Sequence, residues 1–120
     1  MPETRIRRVA DQIKKEISQV IREELKDPRV STLTSVTGVG VTKDLRSARV
    51  YVSIYGDPEQ QELTIGVLNR AAGFFRSEIG KRVRLRYTPE ISFHLDRSLE
   101  YGDHIEQVLK SIQGKEKGHA

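Results

Sequence analysis

Hydrophobic side chains recur at helical spacing through the first part of the chain and predict a long amphipathic helix from about Arg5 to Lys26. Because an α-helix has about 3.6 residues per turn, positions three and four apart share one face, which a core can bury. Asp27-Pro28-Arg29 ends this helix, since a proline disfavours the helical region for the residue before it. The apolar face consists of Ile6, Val9, Ile13, Ile17, Val20 and Ile21.

Period-two alternation then predicts two strands, Val36 to Thr42 and Ala48 to Tyr55. The connection 43–47 is short enough for a hairpin. Gly38 and Gly40 weaken the first strand, because glycine has no side chain to pack. In the second strand, apolar and more polar side chains alternate between the two faces. One face carries Ala48, Val50, Val52 and Ile54, and the other carries Arg49, Tyr51, Ser53 and Tyr55.

A pair of helices follows the hairpin. Asp57 suits the N-cap of the first, Pro58 its first helical position, and Gln60 completes a capping box. Gly73 interrupts the apolar pattern, and a short second helix follows, which ends near Gly80. The buried stripe of the first helix is predicted to contain Leu63, Val67, Leu68 and Ala71.

The next apolar alternation, from Arg82 to Tyr87, predicts a strand that Thr88-Pro89 breaks and that resumes over residues 91–95. A last helix is expected from Ser98 to Ile112. Residues 115–120 carry no pattern and are expected to be disordered. A chain of 120 residues with no internal linker fits one α+β domain over residues 1–114.

Positive charge is concentrated in one segment. The chain carries a net charge of +4, whereas residues 70–86 alone carry +5. Charge localised in this way is typical of a phosphate-binding face. Arg5, Arg7 and Arg8 also open the first helix, where the helix dipole disfavours cations. The polar face of this helix is therefore either simply solvated or in contact with a partner. The basic residues of the segment are Arg70, Arg76, Lys81, Arg82, Arg84 and Arg86, against Glu78 alone.

Residues for catalysis or metal binding are lacking in the sequence. Without cysteine there is no disulfide, thiolate metal site or cysteine nucleophile, and the three histidines have no metal-ligand spacing. Gly38-Val39-Gly40 lacks the third glycine of a dinucleotide loop, and Gly73 and Gly80 are too far apart for a phosphate loop. We therefore expect no enzyme, cofactor or metal. No membrane span or signal peptide is recognisable, which favours the cytoplasm.

The predicted order of elements is that of a type II KH domain with an added C-terminal helix. In KH domains a Gly-x-x-Gly turn between two paired helices lets a nucleic-acid backbone approach closely. Here Ala71-Ala72-Gly73 occupies that turn. Alanine and glycine serve the same physical end, because neither projects bulk towards a phosphate.

Several motifs strengthen this interpretation, because they occur together and in order. They are Lys26-Asp27-Pro28-Arg29, the hairpin from Asp44-Leu45 to Ser53, the helix–kink–helix segment from Leu68 to Arg76, Leu85-Arg86 leading to Pro89-Glu90-Ile91-Ser92-Phe93, and Asp96-Arg97-Ser98. In these motifs the chain resembles the ribosome-binding factor A family over residues 5–112.

The resemblance implies a non-catalytic assembly factor for the small ribosomal subunit. Such a factor binds the immature 30S particle and 16S rRNA, promotes late maturation and 16S rRNA processing, especially in the cold, and leaves with the help of a ribosome-associated GTPase. We expect a cytoplasmic monomer. The candidate RNA-binding residues are Arg5, Arg8, Arg29, Arg70, Ala71, Ala72, Gly73, Arg76, Lys81, Arg82 and Arg84.

Two other functions remain open from the residues alone. A helix–kink–helix with a small-residue turn also occurs in DNA-binding helix-turn-helix proteins. A protein-only adaptor could instead use the acidic last helix. Binding of Arg86 to that acidic helix, in place of a partner, is a further possibility.

Overall fold

A computed structural model of the protein describes residues 3–23 and 34–98 of the chain. These residues form three helices and three strands in the order α-β-β-α-α-β. None of the helices described is both long and apolar enough to cross a membrane. The elements are α1 (Glu3–Glu23), β1 (Thr34–Val41), β2 (Ser47–Ile54), α2 (Pro58–Arg70), α3 (Ala72–Arg82) and β3 (Glu90–Leu95).

The described strands form a sheet in the order β1-β2-β3. β1 and β2 pair as an antiparallel hairpin, with a register shift between Val36 and Gly38 that marks a bulge. β3 lies parallel to β2, with Ser47 opposite Glu90. A parallel neighbour requires a crossover connection, and α2 and α3 supply it. The helix pair is therefore held against the sheet by the topology itself.

The core lies between one face of this sheet and the three helices. The inward side chains of β2, which are Ala48, Val50, Val52 and Ile54, are all buried, as the alternation predicts. Phe75 of α3 packs on Phe93 of β3 with 4.8 Å between ring centroids, and neither ring is appreciably accessible to solvent. The buried side chains of α1 are Val9, Ala10, Ile13, Ile17, Val20 and Ile21.

The start of α2 agrees with its sequence signal. The Asp57 carboxylate accepts a hydrogen bond of 2.9 Å from the backbone N–H of Gln60, and Pro58 opens the helix. The side-chain amide of Gln61 also donates to the carbonyl oxygens of Ile54 and Gly56, at 3.1 Å each. These bonds fix the angle at which the chain leaves β2 and enters α2.

The predicted strand from Arg82 to Tyr87 is wrong. α3 continues to Arg82, and the chain then runs without regular structure until β3 begins at Glu90. Val83 ends the helix with extended backbone angles, while its N–H still donates to the carbonyl of Ile79 at 2.8 Å. The alternation arises because Val83 is buried in the core and Leu85 packs against it, although the connection has no regular structure.

The interruption between the paired helices lies at Ala71 and not at Gly73. Gly73 is the second residue of α3, and its φ is not positive. At the other end of the chain, α1 begins at Glu3, so Arg7 and Arg8 lie beyond the first turn. Apart from Ser98, the predicted helix from Ser98 to Ile112 lies outside the described residues, as do the tail and Arg29, and the extent of the domain to residue 114 stays a prediction.

Two adjacent phenylalanines provide a matched test of this core. Phe75→Ala should lower the free energy of unfolding by ~3–5 kcal/mol, because it leaves a cavity against Phe93. Phe74 is 39% exposed, so Phe74→Ala should cost less than about 1 kcal/mol. Urea unfolding followed by circular dichroism measures both.

If Phe75→Ala does not fold, Phe75→Leu supplies a milder comparison, with an expected loss of ~1.5 kcal/mol or less. Equal losses for alanine at the two positions would contradict the described orientation of α3.

Candidate nucleic-acid interface

A single residue, Ala71, separates α2 from α3. Its backbone angles are φ −93° and ψ 11°, and its N–H donates to the carbonyls of Val67 and Leu68 at 3.2 and 3.1 Å. No side chain caps the start of α3, because the N-cap residue is Ala71 itself. The start of α3 thus has no side-chain acceptor, and the C-terminal end of α2 lies directly beside it.

Asn69 fixes the last turn of α2 to the sheet. Its side-chain amide donates to the carbonyl of Phe93 at 3.0 Å, and its carbonyl oxygen accepts from the N–H of Phe93 at 2.9 Å. These two bonds satisfy backbone groups of β3 that do not pair with β2. They also hold Arg70, the next residue and an exposed candidate, at the turn.

The outward face of α3 carries small residues. Gly73, Ser77 and Gly80 follow one another at intervals of four and three, opposite the buried side chains of Phe75 and Ile79. A Cβ added at Gly73 would meet no atom within 4 Å. The face forms one side of an open groove of about 450 Å³, which is lined by Gly73, Arg76, Ser77, Gly80, Arg86, Tyr87 and Thr88.

The opposite wall of the groove is the connection between α3 and β3. The guanidinium of Arg76 donates through Nε and Nη2 to the carbonyl oxygen of Thr88, at 3.2 and 3.0 Å. Thr88 also lies close to Gly80, where an added Cβ would come within 3.1 Å of the Thr88 hydroxyl oxygen. Arg76 therefore lines the groove and at the same time holds its wall in place.

The sequence interpretation missed an aromatic residue in this wall. Tyr87 is 56% exposed. The Cζ atoms of Arg46 and Arg86 lie 5.2 and 5.8 Å from its centroid, within the range of a cation–π interaction. The sequence pattern places Tyr87 on a strand, and Arg46 belongs to a hairpin that is distant in sequence. The one local signal for Tyr87 is the Arg-Tyr pair just before the Thr-Pro turn.

The β1–β2 hairpin brings Arg46 to this position. The Asp44 carboxylate accepts from the hydroxyl of Thr42 at 2.7 Å and from the N–H of Arg46 at 3.1 Å, and Leu45 takes a positive φ of 61°. The Thr42 hydrogen bond, followed by that from Arg46, holds the pKa of Asp44 below its usual value. Ionised Asp44 therefore stabilises the hairpin at pH values above the usual carboxyl pKa, and this stabilisation is lost as the pH falls through the lowered pKa of Asp44.

Arg82 lies on the inner side of α3, away from the groove. Its guanidinium pairs with Glu16 of α1 at 3.4 Å and with Glu78 at 3.3 Å, and its side chain is only 22% exposed. Lys81 pairs with the same Glu78 at 3.3 Å but is 69% exposed. Arg82 thus fastens α3 to α1, whereas Lys81 keeps its charge at the surface.

The remaining candidates are spread over the surface. Arg84 is exposed in the connection after α3, close in sequence to the groove. Arg5 and Arg8 are exposed on α1, and no contact joins them to the groove in the described structure. Among the residues described, no group of three or more histidine or carboxylate side chains could hold a metal ion. The structure therefore brings together Arg70, the 71–73 turn and Arg76.

Comparison with known proteins gives consistent matches over nearly the whole chain. The family model described as ribosome-binding factor A matches residues 5–109. A ribosome-binding factor A from Caldanaerobacter subterraneus is 52% identical over 112 residues, which cover 93% of this chain and 92% of that protein.

Solved structures agree. A Thermotoga maritima structure assigned to ribosome-binding factor A is 39% identical and superposes with a TM-score of 0.70, over 83% of this chain and 94% of that one. A homology model of the Thermus thermophilus factor, as fitted into a cryo-EM map of its complex with the 30S subunit, is 28% identical, with a TM-score of 0.60 over 73% of this chain and 91% of that one.

The ion pairs of α3 make a separable prediction. Arg82→Gln should lower the free energy of unfolding by ~1–3 kcal/mol, because it removes the cation between Glu16 and Glu78 and, among the described residues, leaves the buried Glu78 paired with Lys81 alone. Lys81→Gln should change stability by less than about 0.5 kcal/mol, since an exposed ion pair contributes little. Thermal and urea unfolding of both variants measure the difference, and a larger loss for Lys81→Gln would be evidence against the assigned roles.

Proposed function

This chain belongs to the ribosome-binding factor A family, and from that membership we propose that it is a non-catalytic factor that binds RNA of the small ribosomal subunit through the face formed by the α2–α3 turn. The observation that carries the proposal is the small-residue surface of Ala71, Ala72 and Gly73, with Arg70 and Arg76 on either side of it. The complex of the Thermus factor with the 30S subunit supports the choice of partner.

We further propose that the domain works as a type II KH-like module, with Ala71-Ala72-Gly73 in place of Gly-x-x-Gly. The support is the α-β-β-α-α-β order, the parallel pairing of β2 with β3 and the one-residue turn at Ala71. In KH domains the loop between the paired helices clamps the nucleic-acid backbone. A surface without projecting side chains allows that approach.

Basic side chains around the turn supply affinity that does not depend on RNA sequence. Each phosphate neutralised by lysine or arginine releases counterions, so binding weakens as salt rises. We propose Arg70, Arg76, Lys81 and Arg84 as the main contributors, with Arg5, Arg8 and Arg29 as additional contacts if α1 also reaches the particle. Arg82 contributes indirectly, because its ion pair with Glu16 holds α3 against α1.

The mechanism that follows is differential binding. A protein that binds one arrangement of rRNA more tightly than another shifts the population towards the first, and only by the ratio of the two affinities. A tenfold preference corresponds to about 1.4 kcal/mol. We propose that this preference promotes late 30S maturation and 16S rRNA processing, and that it matters most in the cold. We also propose that the factor is a cytoplasmic monomer and that a ribosome-associated GTPase assists its release.

Gly73 allows folding and binding to be tested separately. Gly73→Glu should fold normally, because its φ is not positive, its Cβ would meet no atom within 4 Å, and an acidic residue suits the first turn of a helix. The added charge and bulk should nevertheless weaken 30S binding by about tenfold or more, whereas Gly73→Ala should stay within about threefold of the wild type. Filter binding to purified immature 30S particles measures both, with duplex DNA as a competitor.

Normal binding by a well-folded Gly73→Glu variant would assign the turn a purely structural role. Displacement of the protein by duplex DNA at stoichiometric amounts would instead favour the helix-turn-helix function.

The cellular role makes its own prediction. Deleting the gene should slow growth mainly at low temperature, and free small subunits with unprocessed 16S rRNA precursor should accumulate. Wild-type and Gly73→Ala proteins should restore growth and travel with free 30S particles in sucrose gradients, whereas Gly73→Glu should do neither. Stoichiometric protein on translating ribosomes, with normal rRNA processing in the deletion strain, would exclude an assembly factor.

A further inference from the structure

We propose that Tyr87, with Arg46 and Arg86, forms a subsite for one unpaired nucleotide of the bound RNA. The inference rests on the proposed function, because it takes RNA as the ligand, and it adds a contact outside the α2–α3 turn. In this subsite the base stacks on the tyrosine ring and the two guanidiniums hold the adjoining phosphates. We refer to these three residues as the Tyr87 cluster.

The chemistry of the Tyr87 cluster favours an anion with an aromatic group. Tyr87 is more than half exposed, although its neighbours Val83 and Pro89 are buried. Arg46 and Arg86 both lie within 6 Å of the same ring centre. Neither forms an ion pair with a carboxylate in the part of the chain that the structure describes. Two such cations beside one exposed ring supply the positive charge that the phosphates next to a stacked base require.

The backbone on both sides of the Tyr87 cluster is already fixed. Arg76 holds the carbonyl of Thr88 through two hydrogen bonds, and Pro89 is fully buried. The N–H of Glu90 donates to the carbonyl of Arg46 at 2.9 Å, which joins the hairpin to this connection. A ring presented on a fixed backbone loses little conformational entropy on binding, so more of the stacking energy appears as affinity.

Stacking of a base can displace a guanidinium from the ring. An exposed cation–π contact is weaker than the stacking of a nucleobase on an aromatic side chain, so a base competes successfully for the ring face. The displaced guanidinium remains beside the nucleotide and can bind its phosphate. The nucleotide must be unpaired, because a base inside a helix already stacks on both faces.

A tryptophan reporter tests stacking directly, because the chain contains no tryptophan of its own. Tyr87→Trp should show saturable fluorescence quenching with an unstructured octanucleotide RNA and little quenching with a blunt duplex of the same length. Tyr55→Trp is the matched control. Tyr55 is 80% exposed and follows the far end of β2, on the order of 25 Å from the Arg46 end.

Affinity for the immature 30S particle decides the contribution of the ring. Tyr87→Ala should weaken binding by about fivefold to a hundredfold, the range expected for loss of one stacked base, whereas Tyr87→Phe should keep most of the affinity. Tyr55→Ala should bind like the wild type. Circular dichroism melting of each variant shows whether the fold is retained.

The outcomes separate this inference from the proposed function. Failure of the wild-type protein to bind the 30S particle would overturn the proposed function and the subsite with it. Wild-type binding that Tyr87→Ala matches would overturn the subsite alone. Equal quenching of Tyr87→Trp by duplex and single-stranded RNA, or quenching by RNA-free ribosomal protein instead, would also overturn it.

Discussion

Contact between the rings of Phe75 and Phe93 determines which side of α3 faces solvent. Both rings are buried, and Ile79 lies one turn after Phe75 on the same side. Because an α-helix repeats every 3.6 residues, burying these positions turns Gly73, Ser77 and Gly80 outwards. The ion pair of Arg82 with Glu16 of α1 then resists rotation of α3 about its axis. The proposed RNA-binding surface is therefore a consequence of how the core packs.

The same packing determines the course of the chain after α3. β3 must return parallel to β2, so the connection crosses from the end of α3 to the start of β2, beside the hairpin. This path brings Tyr87 next to Arg46, two residues that no local sequence signal relates. On this path the carbonyl of Thr88 comes within hydrogen-bond distance of Arg76, so Arg76 both lines the groove and holds its opposite wall in place. Arg76 thus supplies a positive charge and also a structural contact, whereas Lys81 mainly supplies charge at the surface.

Sequence reasoning succeeded where a pattern is local. The strand β2 was predicted to within one residue at each end, because its alternation is unbroken, and the start of α2 followed from the Asp57 cap. It failed from Arg82 to Tyr87, since this irregular segment buries Val83 and half-buries Leu85 as a strand would, although Tyr87 is exposed. The inward position of Arg82 depends on Glu16, 66 residues earlier, and only the folded structure places the two side by side. The Tyr87 cluster likewise could not be predicted, because Arg46 and Tyr87 are distant in sequence and meet only in the folded structure.

A cryo-EM map of the protein bound to an immature 30S particle tests the central claim most directly, because it shows which face meets RNA. The α2–α3 turn should lie against an rRNA backbone, with density continuing along the groove beside Gly73, Ser77 and Gly80. A map in which this face of α3 points to solvent, while another surface such as the outer face of the sheet carries the contact, would contradict it.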